Sequence, residues 1–352
     1  VLKFIDCIFL HHPHTMLSRI NSRVTRVVLP GAGRWLSTAN PGMPGPIGFI
    51  GLGHMGSKMV SNISSDGNSL VIFDANPDTA KALESDSVRA VATVAEVAKA
   101  CSTVITMLPN DNAVNSVSKI LMENSQPGLI HVGCSTVSPT TSRGLAAEYS
   151  AAGKTFVAAP VFARPDGLLK RQATWMVAGE EKGRLVAGKL LESSGAIVDY
   201  GDDTGSANVV KLCGNFLIAS SIEAIGEAVA LSEKNGVDGK EVIKLLSGTI
   251  FDCLIYKGYG QRVSERDHRP GGFSLELGLK DVSLVNQAAR DCNTPMPFLS
   301  VLLDRFVSAK ARGRGGMDWS AIGMCVSENA GIDMKADVDR NQKAVDTGDV
   351  YK

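Results

Sequence analysis

Three hundred and fifty-two residues, 44% hydrophobic and 20% charged, exceed the usual size of one domain, which predicts two domains and excludes intrinsic disorder. With 36 basic and 36 acidic residues the formal net charge is zero, so the chain has no electrostatic footprint for nucleic acid. The seven cysteines are odd in number and contain no CxxC pair, which argues against a disulfide scaffold and a zinc site, and no apolar run reaches the roughly 18–20 residues of a membrane span. Neither nucleic acid nor membrane is an expected partner.

The charge balance is uneven from the start of the chain. Residues 7–65 contain no Asp or Glu, whereas Arg19, Arg23, Arg26 and Arg34 all fall there. On a helix at about 100° per residue, Arg19, Arg23 and Arg26 share one face opposite Leu17, Ile20, Val24, Val27 and Val28. An amphipathic, acid-poor helix carrying Arg and Ser has the marks of a mitochondrial transit peptide, with Arg34-Trp35-Leu36-Ser37-Thr38 as the processing region and cleavage near Leu36 or Ser37. The expected location is the mitochondrial matrix; the competing reading is a basic arm with no targeting role. Met16 opens this pattern, so residues 1–15 are set aside from fold reasoning. Pro41 to Pro46 is a turn-rich linker, which assigns residues 1–45 to leader and linker.

Ile47 to Ile50 predicts a short buried strand that runs into Gly51-Leu52-Gly53-His54-Met55-Gly56, and helical spacing continues from Ser57 to Ile63. Gly51 suits a tight turn, Gly53 lets the backbone approach a pyrophosphate, and Gly56 lets the helix pack on the strand; the helix N-terminus then offers N–H groups to the phosphates. His54 is expected to pack within this loop. The second strand, Ser69 to Phe73, ends at Asp74, 18 residues beyond Gly56. An acid there can accept both adenosine ribose hydroxyls and repels a 2′-phosphate, so NAD is favoured over NADP. Strands continue to alternate with helices as far as Tyr200, which predicts an α/β, doubly wound, mostly parallel Rossmann-type sheet over residues 46–203. Leu108-Pro109 and Ser135-Thr136 follow strands at the carboxyl edge and are candidates to line the cleft.

Gly201 to Gly205 breaks the alternation. A proline-free segment from Ser206 to about Asn235 predicts one long helix of about 45 Å, long enough to join the α/β part to an all-α domain over residues 204–332. The polar segment 333–352 is expected to be a loosely held tail. On the long helix Lys211 and Asn215 share a face, and Leu212, Phe216, Leu217, Ile218 and Ile222 make the neighbouring surface apolar. Desolvation there would lower an ammonium pKa toward the range of proton transfer. The apolar helices also offer surface for a homo-oligomer. His54, His131 and His268 lack ligand-like spacing, so no metal site is assigned.

Across residues 46–330 the chain resembles the β-hydroxyacid dehydrogenases. Gly48-Phe-Ile-Gly-Leu-Gly-His-Met-Gly-Ser-Lys-Met59 matches that family's opening signature, Gly205-Ser-Ala-Asn-Val-Val-Lys211-Leu-Cys-Gly-Asn215 matches the context of its catalytic lysine, and Lys280-Asp281 matches its later K-D pair. The resemblance implies cofactor contacts from Leu108, Pro109, Asn112, Thr136 and Lys280. It also implies hydride transfer with Lys211 as general base in oxidation and general acid in reduction, and Asn215 orienting a small hydroxyacid. Asn112 arrives one residue early. Where the family has a Ser-Gly-Gly run that binds the substrate carboxylate, this chain reads Val161-Phe162-Ala163-Arg164-Pro165. Either Arg164 takes over the carboxylate bidentately, or Phe162 fills the site and the substrate is different.

Three functions stand at this point. They are an NAD-dependent dehydrogenase of a small β-hydroxyacid, an NADPH-dependent reductase of a semialdehyde or glyoxylate, and a non-catalytic dinucleotide-binding module. Asp74 argues against the second, and the presence of Lys211, Asn215 and Lys280 argues against the third.

Overall fold

The computed structural model describes residues 45–351; the leader with its processing region lies outside them. The first part runs β1 (Ile47–Ile50), α1 (Gly56–Ser65), β2 (Leu70–Phe73), α2 (Pro77–Lys81), β3 (Val88–Ala90), α3 (Val94–Ala100), β4 (Thr103–Thr106), α4 (Asp111–Asn124), β5 (Ile130–Gly133) and α5 (Pro139–Ala151). It continues with β6 (Thr155–Ala158), β7 (Val161–Phe162), α6 (Pro165–Leu169), β8 (Ala173–Gly179), α7 (Glu181–Leu191) and β9 (Gly195–Asp199).

One sheet carries all nine strands, in the order β3-β2-β1-β4-β5-β6-β8-β7 with β9 also on β8. Pairing is parallel from β3 to β6 and between β8 and β9, while β8 runs antiparallel to β6 and β7. β1, β4 and β5 are buried throughout, as strands covered by helices on both faces must be. Helix starts follow from local chemistry: Asn76, Thr93, Asn110 and Ser138 each accept a backbone N–H from the first turn of α2, α3, α4 and α5. Strand order reverses at β1, with β2 on one side and β4 on the other. That reversal opens a crevice at the carboxyl edge, where ligands of such sheets bind.

The second part is helical: α8 (Thr204–Lys234), α9 (Gly239–Ser247), α10 (Leu254–Glu265), α11 (Leu275–Asp291), α12 (Pro297–Ala311), α13 (Ile322–Asn329) and α14 (Lys335–Thr347). α8 packs against α5 and β8 of the sheet and against α9, α10, α11 and α13 of its own part, so it is shared by both halves. Lys211 and Glu223 interrupt its apolar runs, yet an 18-residue window of α8 has a mean hydropathy of 1.4, apolar and long enough by composition alone to cross a membrane. The fold uses that character for a central helix whose Leu212, Ala219, Ile222, Ile225 and Val229 enter the helical core.

Residues 333–351 also differ from the expected loose tail. Met334 is buried, Asn341 and Ala344 of α14 are buried, and the Tyr351 ring lies 3.7 Å from the guanidinium carbon of the buried Arg262. Hydrogen bonds anchor the segment. Asn341 accepts from His268 N and donates to Arg266 O, and Tyr351 N donates to Pro270 O.

Candidate active site

The dinucleotide loop follows from three glycines with different constraints. Gly51 has φ +94°, and a Cβ on it would lie 2.3 Å from Met107 O, so both conformation and space demand glycine. A Cβ on Gly56 would lie 1.9 Å from Gly51 O; its absence lets α1 begin directly beneath the loop. Gly53 meets nothing within 4 Å. Open space therefore lies before the first turn of α1, where Ser57 N donates to Gly53 O and Lys58 N and Met59 N donate to Met55 O; the positive end of the helix faces that space, and a pyrophosphate fits there.

Leu52 is buried in the core while its N–H donates to Asp74 Oδ2 at 2.7 Å. Asp74 Oδ1 accepts from Asn76 N at 2.8 Å. The carboxylate at the end of β2 thus holds the glycine loop in place, and its oxygens keep further lone pairs for hydroxyl donors. Met55 is half-buried against the core, whereas His54 is exposed rather than packed within the loop.

Beyond β4 and β5 the two connecting loops are tied together. Leu108 N donates to Ser135 Oγ at 2.7 Å; Ser135 is buried and serves this link. Pro109 is exposed at the rim, Asn112 is exposed on the first turn of α4, and Asn110 is used as the cap of that helix. Thr136 turns its carbonyl to α11, where Lys280 Nζ donates to it at 2.7 Å. That bond joins the carboxyl edge of the sheet to the helical half.

The chemistry-bearing side chains meet on α8. Lys211 Nζ lies 4.5 Å from the centroid of the Phe162 ring at the end of β7. The ring rests against Gly214, where a Cβ would come within 2.2 Å of Phe162 Cζ. Burial lowers the Lys211 pKa to about 8; the Asp281 carboxylate acts in the opposite sense and Lys280 adds to the lowering. Asn215, one turn on and buried, donates its Nδ2 to Asp281 Oδ2, and Lys280 Nζ lies 2.8 Å from Asp281 Oδ1. An amine whose pKa lies near 8, with an amide beside it, can take or give a proton at a carbinol oxygen. Arg164 precedes α6, its Nε 3.5 Å from Asp166 Oδ1 and its side chain 38% exposed, so the guanidinium remains open to an anion.

Lys211, Asn215, Phe162, Thr136 and Lys280 are therefore brought together, while the glycine loop and Asp74 form the other end of the cleft. Two residues lacked an assigned role from sequence. Asp281, 1% exposed, accepts a hydrogen bond from Asn215 and forms an ion pair with Lys280. Asn208, also buried, donates to Ser142 Oγ at 2.6 Å and accepts from Val137 N at 3.4 Å, fixing α8 to the loop that carries Thr136. A polar residue three before Lys211, on the same helix face, was the available signal.

Two family models match the chain: the NAD binding domain of 6-phosphogluconate dehydrogenase over residues 46–202, and the NAD-binding domain of NADP-dependent 3-hydroxyisobutyrate dehydrogenase over residues 205–325. The mitochondrial 3-hydroxyisobutyrate dehydrogenase of Homo sapiens is 30% identical over 309 residues, 85% of this chain and 92% of that protein. The chain belongs to the β-hydroxyacid dehydrogenase family. An uncharacterized oxidoreductase of Bacillus subtilis, YfjR, is 33% identical over 284 residues, 80% of this chain and 99% of that one. Among solved structures, Mycobacterium tuberculosis 3-hydroxyisobutyrate dehydrogenase with L-serine aligns with a TM-score of 0.73 and 26% identity, over 81% of this chain and 99% of that chain. As a member of the β-hydroxyacid dehydrogenase family the protein is an oxidoreductase that binds a nicotinamide dinucleotide and acts on a small molecule.

Proposed function

We propose that this chain oxidises a small β-hydroxyacid of the 3-hydroxyisobutyrate type with NAD, reversibly. The observation that carries the reading is Lys211, with a pKa near 8, facing the Phe162 ring beside Asn215. When bound, the dinucleotide supplies the nicotinamide that exchanges hydride with the carbinol carbon. Lys211 takes the hydroxyl proton in oxidation and returns it in reduction, and Asn215 orients that hydroxyl. Arg164 receives the carboxylate in place of a glycine-rich run, since a guanidinium binds a carboxylate through two parallel N–H bonds. Phe162 shields Lys211 from water, which keeps the amine's pKa low.

Asp74 supports NAD over NADP through its negative charge at the end of β2. The acid-poor, arginine-bearing leader supports action in the mitochondrial matrix, and the apolar helical surface supports a homo-oligomer. Initial rates on a panel of hydroxyacids, with NAD and NADP in parallel, test the reading. NAD-dependent oxidation of a small β-hydroxyacid is expected, with KM raised about tenfold or more in Arg164→Ala. Absence of turnover with every acid and both dinucleotides would overturn it, and an unchanged KM in the variant would take the carboxylate from Arg164.

A further inference from the structure

The buried carboxylate of Asp281 on α11 lies at the centre of the proposed catalytic cluster and has no part in the proton transfer described above. It is 1% exposed, and both its oxygens face site residues: Oδ2 accepts from Asn215 Nδ2 and Oδ1 lies 2.8 Å from Lys280 Nζ. A carboxylate only accepts hydrogen bonds, so the Asn215 amide can face it in one sense only, nitrogen toward Asp281. No group among the described residues donates to Asn215 Oδ1. Lys280 is held in turn between Asp281 and the carbonyl of Thr136.

We propose that Asp281 is the positioning residue of the site: it fixes the Asn215 amide with its carbonyl toward the cleft, and it holds Lys280 against the Thr136 loop. Asn215 thereby presents an acceptor. The substrate group it meets is a hydrogen-bond donor, a hydroxyl or an amine, and a carboxylate is turned away from this point toward Arg164. This rests on the reaction proposed above for its kinetic consequences, but the placement of Asp281 does not.

The charged groups acting on Lys211 are Asp281 and Lys280, both on α11; Phe162 faces it from β7 and Asn215 lies beside it on α8. Asp281 is the single acid among them, so its neutralisation lowers the Lys211 pKa further.

The experiment compares wild type with Asp281→Asn, which keeps volume and removes charge; Asp281→Ser, smaller and also neutral, replaces it if that variant does not fold. Lys211 is titrated in the ligand-free protein by NMR after reductive 13C-methylation, its signal assigned with Lys211→Arg. Initial rates on the best hydroxyacid are measured across pH, with Asp281→Glu as the conservative control. We expect the Lys211 titration at lower pH in the neutral variant, kcat lower by about tenfold or more, and the acid limb of kcat/KM moved to lower pH, with partial recovery in Asp281→Glu. In a double-mutant cycle the loss in kcat largely disappears once Asn215 is already Ala.

An unmoved Lys211 titration overturns the proposal whether or not the protein oxidises hydroxyacids. So does a kcat loss that simply adds to that of Asn215→Ala, because that would mark a merely structural acid. A Lys211 titration that shifts between wild type and Asp281→Asn, in a protein whose wild type turns over no hydroxyacid, would sustain Asp281 and sink the reaction instead.

Discussion

The two halves of the molecule prepare their ends of the cleft by different means. In the α/β half the backbone does it: Gly51 at φ +94°, Gly56 beneath Gly51 O and Gly53, which has nothing within 4 Å of a would-be Cβ, shape the cradle. Asp74 holds that cradle through the N–H of Leu52. In the helical half the working groups are side chains on regular helices, and what places them is other side chains. Asp281 grips Asn215 and Lys280, Asn208 grips Ser142, and buried Glu223 takes the guanidinium of Arg305. A backbone cradle suits a ligand of constant shape such as a pyrophosphate. A side-chain network, changeable one residue at a time, suits the end of the cleft where the substrate differs.

The strongest way to separate the halves is Lys211→Ala. Loss of the general acid and base is expected to lower kcat by on the order of 10² to 10⁴-fold, while fluorescence titration shows NADH bound as in wild type. In wild type the neutral amine accepts the proton, so kcat/KM for oxidation should rise with pH through about 8, and reduction should weaken over the same range. Failure of NADH to bind the variant would show that the ends are not independent.

A smaller effect distinguishes two glycines of the cradle. Gly53→Ala puts a methyl into open space; dinucleotide affinity should fall about tenfold, or ~1.4 kcal/mol, with the melting temperature unchanged. Gly56→Ala forces a methyl onto Gly51 O and should cost about 1–3 kcal/mol of stability, seen as a lower melting temperature. The same response from both would contradict a division between ligand space and packing space. Smallest of all, Tyr351→Ala removes the ring over Arg262 and should cost about 1 kcal/mol in denaturant unfolding, with catalysis unaffected.

The same division explains what could be read from the chain. Glycine at a positive φ and an acid at a strand end leave marks at short range, and the strand and helix alternation to Tyr200 maps onto the sheet. Lys211 and Asn215 were visible because they are four apart on one helix. Asp281 was visible only as half of a K-D pair, since its partner Asn215 is 66 positions away and no local pattern encodes that bond. Within the all-α part, Gly258 and Gly260 interrupt the helical pattern of α10 and leave it little periodic signal. α14 is hard to read because only Met334, Val338, Ala344 and Val345 make its apolar stripe, in an otherwise polar segment where buried Asn341 takes the middle position. The two-residue β7, which carries Phe162 to Lys211, is too short for periodicity to register.

The contact between Phe162 and Gly214 also sets an order in which this site can change. With the ring in place, a side chain at 214 must displace it, so substitution at 214 is disfavoured for as long as 162 is Phe. Replacing Phe162 by a small residue opens 214 and admits water to Lys211. A designer who wishes to retune substrate choice must therefore change 162 first and 214 second, and the intermediate would carry a better hydrated, more basic lysine.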